Sequence, residues 1–226
     1  MTPLERLFGG QLPKLVMFDL DGTLMDSVPD LAAAVDSMLI QLGRPPAGMA
    51  RVRDWVGNGS PTLVRRALAG QLDDSGVDRA EGEVALGLFM KAYAGGHALT
   101  TVYPGVAPLL RWLRTRAIPL AVITNKPEQF VEPLLREKEL GHFDWIVGGD
   151  TLPNQKPDPA GLLHVLSQAG VSADEALFIG DSRNDVLAAR AAGVRCVALT
   201  YGYNHGRPIA EEKPDRVLDD LRELLV

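Results

Sequence analysis

Cysteine is all but missing. Cys196 is the only one in 226 residues, so no intramolecular disulfide can form, and a reducing compartment is expected. It stands in an apolar run over 194–199, where the expectation is a small buried strand residue. Basic residues are the minority: 23 Lys and Arg against 29 Asp and Glu leave a net charge of −6. That balance excludes a general nucleic-acid-binding surface, though not a local basic pocket. No apolar run reaches the roughly 20 residues of a membrane-spanning helix. The apolar patch near Lys14 is interrupted by an acidic pair within a few residues, unlike a signal peptide, so the cytoplasm is the expected location. Repeats of solenoid period and low-complexity tracts are absent as well. What is present is a chain 46% apolar and 23% charged, enough for a real core, organised as one large domain or a domain with an insert.

Short apolar runs at 15–18, 119–123, 145–147, 176–179 and 194–199 read as strands buried on both faces. Between the later ones lie helical patterns at 106–116, 130–140, 160–169 and 185–192, the last stopped by Gly193. Alternating strand and helix predicts an α/β fold, a Rossmann-like parallel sheet with helices on both faces and its ligand site beyond the carboxyl ends of the strands. Residues 27–98 break the alternation. Ser27 reads as a helix cap, with Pro29 and Asp30 in the first turn. Helical stretches follow to Gly43 and at 49–56, 62–72 and 80–93. This segment reads as an inserted α-helical cap domain, 27–98, on a core of 1–26 and 99–226.

The strand ends carry the chemistry. Asp19 and Asp21 close the first run in Phe18-Asp19-Leu20-Asp21-Gly22-Thr23 and, two apart on extended backbone, point the same way. Two such carboxylates repel, and a cation beside them removes that cost; an aspartate turn at a strand end is the plainer alternative. Thr124, Asn125 and Lys126 close the second run. Lys156 sits in Gln155-Lys156-Pro157-Asp158, and the fourth run ends in Gly180-Asp181-Ser182-Arg183-Asn184-Asp185. Thr124 as a helix cap, Lys156 as a solvated loop cation and Asp185 as a first-turn acid remain the structural alternatives.

Asp-x-Asp-Gly-Thr, Thr-Asn, Lys-Pro and Gly-Asp-x-x-x-Asp, in this order and with a helical insert after the first, resemble the haloacid dehalogenase superfamily over essentially the whole chain. The resemblance implies a phosphohydrolase with an aspartyl-phosphate intermediate on Asp19 and Asp21 as acid and base. It implies Mg2+ held by Asp19, the carbonyl of Asp21 and Asp181, with Asp185 behind them holding a metal-bound water or positioning Lys156. Phosphate oxygens would meet Thr124, Asn125, Lys156 and the segment Gly22-Thr23. Asp21 argues against dehalogenase or phosphonate chemistry. A sugar-phosphate mutase, a phosphatase for another small ester or pyrophosphate, and a non-enzymatic binding protein stay as alternatives.

In the insert, Trp55-Val56-Gly57-Asn58-Gly59-Ser60-Pro61 places glycines at a helix start, a natural anion site, with Arg65 one turn later. Gly57, Asn58, Gly59 and Arg65 are therefore expected to meet a second anionic group on the substrate; a helix–helix turn with a surface arginine is the alternative. That turn, Ile123-Thr124-Asn125-Lys126-Pro127 and Thr200-Tyr201-Gly202-Tyr203-Asn204-His205-Gly206 also resemble bacterial phosphoglycolate phosphatases. The expected partner is thus a small-molecule phosphate ester, with neither a nucleic-acid polymer nor a membrane. His205 is expected near the site or packed on Tyr201 or Tyr203.

Overall fold

The computed structural model describes residues 1–225. Helix α1 (Pro3–Leu7) leads to β1 (Leu15–Phe18) and the short β2 (Met25–Asp26). Then come α2 (Val28–Gln41), α3 (Met49–Trp55), α4 (Gly59–Ala69) and α5 (Arg79–Tyr93), followed by β3 (Thr101–Val102). The remainder alternates as α6 (Val106–Arg114), β4 (Leu120–Ile123), α7 (Val131–Glu137), β5 (Trp145–Val147), α8 (Ala160–Ala169), β6 (Ala176–Gly180), α9 (Arg183–Ala192), β7 (Arg195–Leu199) and β8 (Arg216–Leu218).

The main sheet runs β5-β4-β1-β6-β7-β8, all parallel. All five expected apolar runs are strands within it. In β1 the side chains alternate between the two faces. Val16 and Phe18 pack with Leu109 and Leu113 of α6 and Leu134 of α7, while Leu15 and Met17 pack with Leu162 of α8 and Val186 of α9. Helix α6 buries Val106, Leu109, Leu110 and Leu113, the spacing of a one-sided apolar stripe. Cys196 is buried in β7, as its setting predicts. The chain proceeds from β1 towards β4 and from β6 towards β7, so its direction through the sheet reverses between β1 and β6. A crevice opens beyond the carboxyl ends at such a point.

Strands β2 and β3 pair antiparallel, Met25 opposite Val102 and Asp26 opposite Thr101. The chain therefore departs for α2–α5 and returns side by side. These helices lie within the expected 27–98 and bury a cluster of their own, including Val35, Met38, Val64 and Phe89, to which Phe130 and Tyr203 also contribute. Phe89 is fully buried and stacked on Tyr93 at 5.7 Å between ring centroids. Phe89→Ala is expected to cost about 3–5 kcal/mol in urea unfolding, the usual result of emptying an aromatic site in a packed core.

Several local expectations need correction. Ser27 occupies the N-cap position of α2, but its side chain makes no capping bond and its Oγ is buried without a hydrogen-bond partner. Asp30 in the first turn instead reaches the returning chain, accepting from Thr100 Oγ1 at 2.6 Å and from the Leu99 amide at 3.2 Å. Helix α4 starts at Gly59, not at 62, with Asn58 in the cap position. Pro61 is tolerated inside its first turn because amides there have no carbonyl within the helix to bond. Strands β2, β3 and β8 were not expected from the sequence.

Candidate active site

Asp19 follows the last residue of β1, and its amide donates to Ile179 of β6 at 2.9 Å. The ladder thus fixes Asp19 beside Asp181, which follows β6. Thr124 is placed in the same way at the end of β4, its amide donating to Val147 at 2.9 Å. One pocket is lined by Asp19, Asp21, Thr124, Asn125, Lys126, Lys156 and Asp181 from the sheet side. Val56, Gly57, Gly59, Ser60, Leu63 and Tyr93 close it from α2–α5 together with Leu31. Residues separated by more than 160 positions in the chain therefore share one cavity.

The carboxylates are arranged around Lys156. Its Nζ lies 2.7 Å from Asp19 Oδ1 and 2.6 Å from Asp185 Oδ1. Asp185 Oδ2 accepts from the Ser182 amide at 2.9 Å, from Ser182 Oγ at 2.7 Å and from the Asp181 amide at 3.1 Å. It is therefore more than a first-turn acid: it holds the β6–α9 turn and aims Lys156. Burial works against the Lys156 ammonium, but Asp185 and Asp19 outweigh it and hold its pKa above the usual lysine value. Burial pushes Asp19 up to about 6, opposed by Lys156 and reinforced by Asp185. Asp181 is raised well above the ordinary range by burial and then by Asp185 and Asp19. Its Oδ1 accepts from Thr23 Oγ1 at 2.7 Å and its Oδ2 from the Tyr203 amide at 2.6 Å.

Asp19, Asp181 and Asp185 offer oxygens within 4.8 Å of one another. Three buried carboxylates so close, with one ammonium between two of them, carry an excess of negative charge. An all-oxygen donor set of this kind fits a hard divalent cation such as Mg2+. Gly22, in the turn after Asp21, has φ +93°, and a Cβ there would fall on Asp181 Oδ2. The turn needs glycine for both reasons.

Not every expected residue offers itself to a ligand. The Gly22 amide donates to Met25 at 2.8 Å and the Thr23 amide to Leu20 at 3.3 Å. With the Thr23 hydroxyl on Asp181, the Gly22-Thr23 segment shapes the turn and steadies Asp181 instead of cradling phosphate. Asn125 donates through Nδ2 to the carbonyls of Gly57 and Lys156, each at 2.9 Å, and so joins two segments. Thr124 Oγ1 accepts from the Lys126 amide at 3.2 Å and keeps its own proton for an acceptor in the pocket.

Gly57, in the turn before α4, and Gly59, its first residue, line the pocket, but Asn58 and Arg65 do not. The Asn58 Oδ1 is buried without a partner. Arg65 faces away: its Nε bonds Asp74 Oδ2 at 3.0 Å and its Nη2 the Asp74 carbonyl at 2.8 Å. Helical spacing from the start of α4 located Arg65 along the helix; the acid nine residues later decided which side it faces. His205 is not among the residues lining the pocket but lies beside one that is, Gly57, and its Nδ1 is 2.7 Å from the Asp54 carbonyl in α3.

Lys126 was singled out for no role by its sequence, yet it is buried in the pocket. Its Nζ lies 3.0 and 3.1 Å from the two Asp21 carboxylate oxygens and 2.6 Å from Tyr93 Oη of α5. Asp21 and Tyr93 outweigh the effect of burial and raise the pKa of Lys126. The only sequence signal was a lysine directly following Thr124-Asn125 at a strand end.

Known proteins resemble this chain in sequence and in shape. The model of the haloacid dehalogenase-like hydrolases matches residues 13–193. Phosphoglycolate phosphatase 1 of Pseudomonas aeruginosa is 65% identical over 226 residues, all of this chain and 83% of that protein. A phosphoglycolate phosphatase of Pseudomonas fluorescens is 64% identical with the same coverage. A crystal structure from Haemophilus somnus, described as a predicted phosphoglycolate phosphatase, superposes with a TM-score of 0.87 at 38% identity, covering 94% of this chain and 96% of that one.

Proposed function

The chain belongs to the haloacid dehalogenase-like hydrolases, and from that premise we propose that it hydrolyses 2-phosphoglycolate to glycolate and phosphate. The observation that carries this reading is the single pocket shared by Asp19, Asp21, Thr124, Lys156 and Asp181. The substrate is supported by 65% and 64% identity, over all of this chain and 83% of theirs, to two Pseudomonas phosphoglycolate phosphatases.

Asp19 is the nucleophile. One of its carboxylate oxygens attacks phosphorus, the bond from phosphorus to the glycolate oxygen breaks, and Asp21 gives that oxygen its proton. Asp21 then takes a proton from water, water attacks the aspartyl phosphate, and inorganic phosphate leaves with Asp19 restored. Lys156, held by Asp185, offsets charge on Asp19 and on the transferring group, and the Thr124 hydroxyl donates to a phosphoryl oxygen. Mg2+ would be held by Asp19, Asp181 and the carbonyl of Asp21, and when bound it supplies charge neutralisation for these carboxylates and the phosphoryl group. Residues 27–98 form a cap on the core of 1–26 and 99–226. The Gly57 carbonyl, which accepts from Asn125 and from Asn184 Nδ2 at 3.0 Å, ties the cap to the core beside the site.

Phosphate release from 2-phosphoglycolate, glucose 1-phosphate, pyrophosphate and simple alkyl phosphates tests the reading. The expected result is the highest kcat/KM on 2-phosphoglycolate, loss of phosphate release in EDTA, and recovery when Mg2+ is restored in excess. Conversion of glucose 1-phosphate to glucose 6-phosphate without free phosphate would assign a mutase instead. Undiminished turnover in EDTA would remove the metal from the mechanism.

A further inference from the structure

2-Phosphoglycolate is anionic at both ends, and an enclosed site must answer the carboxylate as well as the phosphate, since a buried charge without a partner is heavily penalised. Two ammonium groups line the pocket, those of Lys126 and Lys156. Lys156 is clasped between Asp19 and Asp185 and belongs to the phosphoryl end. Arg65, the cation expected from the sequence, is turned to Asp74. Arg66 donates to the Trp55 carbonyl at 2.7 Å, and Arg53 lies over the Tyr203 ring and against Asp26.

We propose that Lys126 binds the substrate carboxylate and so determines specificity for a phosphate ester with a second anion. This inference rests on the 2-phosphoglycolate reading. Lys126 is 5% exposed, an unusual degree of burial for lysine, and its ammonium sits where core and cap meet. An ammonium has three protons to donate. Tyr93 Oη lies at 2.6 Å and the two oxygens of the single Asp21 carboxylate at 3.0 and 3.1 Å, so two groups hold the ammonium in place. Lys126 also lines the pocket, where a ligand carboxylate would meet it as a further acceptor. Gly59 and Ser60, at the start of α4, line the same pocket, and Asn58 makes no side-chain capping bond there. The positive end of the helix therefore adds to the charge of Lys126 from across the cavity. A carboxylate is matched by these groups; a neutral alkyl or hydroxyl group in its place leaves the ammonium incompletely partnered.

The test compares 2-phosphoglycolate with ethyl phosphate, which has the same two-carbon length without the carboxylate, in the wild type, Lys126→Met and Lys126→Arg. In Lys126→Met, kcat/KM on 2-phosphoglycolate is expected to fall about 10^3-fold, largely through KM. On ethyl phosphate it is expected to fall only about tenfold, from the loss of the contact to Asp21. The preference for the carboxylate substrate thus drops about 100-fold, and Lys126→Arg restores part of it. Because both substrates are measured on one sample, the ratio is independent of the fraction folded. If the wild type prefers 2-phosphoglycolate but Lys126→Met keeps that preference, the inference is overturned while the substrate reading stands. If the wild type itself treats the two esters alike, the substrate reading fails and the role of Lys126 fails with it.

Discussion

Asp19→Asn is expected to lower kcat/KM by at least about 10^4-fold without lowering the melting temperature. An amide has neither the charge nor the free lone-pair basicity to attack phosphorus, so the covalent route closes. The fold should tolerate the change because the surroundings already disfavour charge at this position: burial pushes the Asp19 carboxyl up to about 6. Asparagine has nearly the same shape and carries no charge to desolvate. Thermal unfolding followed by circular dichroism, together with phosphate release, checks both halves. A variant that retained a tenth of the wild-type turnover would show that another group attacks phosphorus.

Lys156→Ala should damage both stability and rate. Its ammonium is the shared partner of Asp19 and Asp185, at 2.7 and 2.6 Å. Removing it leaves two buried carboxylates facing each other, and breaking a buried pair from one side costs about 3–5 kcal/mol. The rate should fall about 10^3-fold, because a fixed positive charge at the transferring group is lost. The destabilisation has a direction in pH. Asp19 already has a folded pKa above its unfolded value, and without Lys156 it rises further. Such a group weakens the fold above that pKa and ceases to do so once it is protonated. Urea unfolding should therefore show a larger loss at pH 8 than at pH 5. Equal losses at the two values would mean that the stabilisation came from packing of the lysine stem.

The sheet was legible because its strands are buried on both faces, which forces continuous apolar runs such as Leu15–Phe18 and Ala176–Gly180. Strand β8 was not, since it is three residues long, begins with Arg216 and buries only Leu218 fully. Strands β2 and β3 are two residues each and exist only because they meet. The site was legible where chemistry sits at a strand end: Asp19, Thr124 and Asp181 all occupy such positions, and the sheet brings them together without further information. Roles settled by tertiary partners were hidden. Arg65 had the right spacing from the start of α4 but is held by Asp74, and Lys126 looked like an ordinary loop lysine until the fold placed it against Asp21 and Tyr93. The partners of the Gly22 and Thr23 amides were hidden for the same reason, because a tight turn closes them on the carbonyls of Met25 and Leu20.

The Gly57-Asn58 turn is tied to the core by side-chain amides alone: Asn125 and Asn184 on the Gly57 carbonyl, Gln155 on that of Asn58 at 3.1 Å. Each is a neutral hydrogen bond with a net worth of about 1 kcal/mol once water can replace it. That turn can loosen at modest cost while the rest of α2–α5 stays attached through Tyr93 on Lys126 and the packing of Phe130 and Tyr203. Movement confined to this turn would widen the pocket beside Gly57 and Gly59 without unseating the helices. Strengthening these ties, with a charged pair in place of one amide, would restrict that movement.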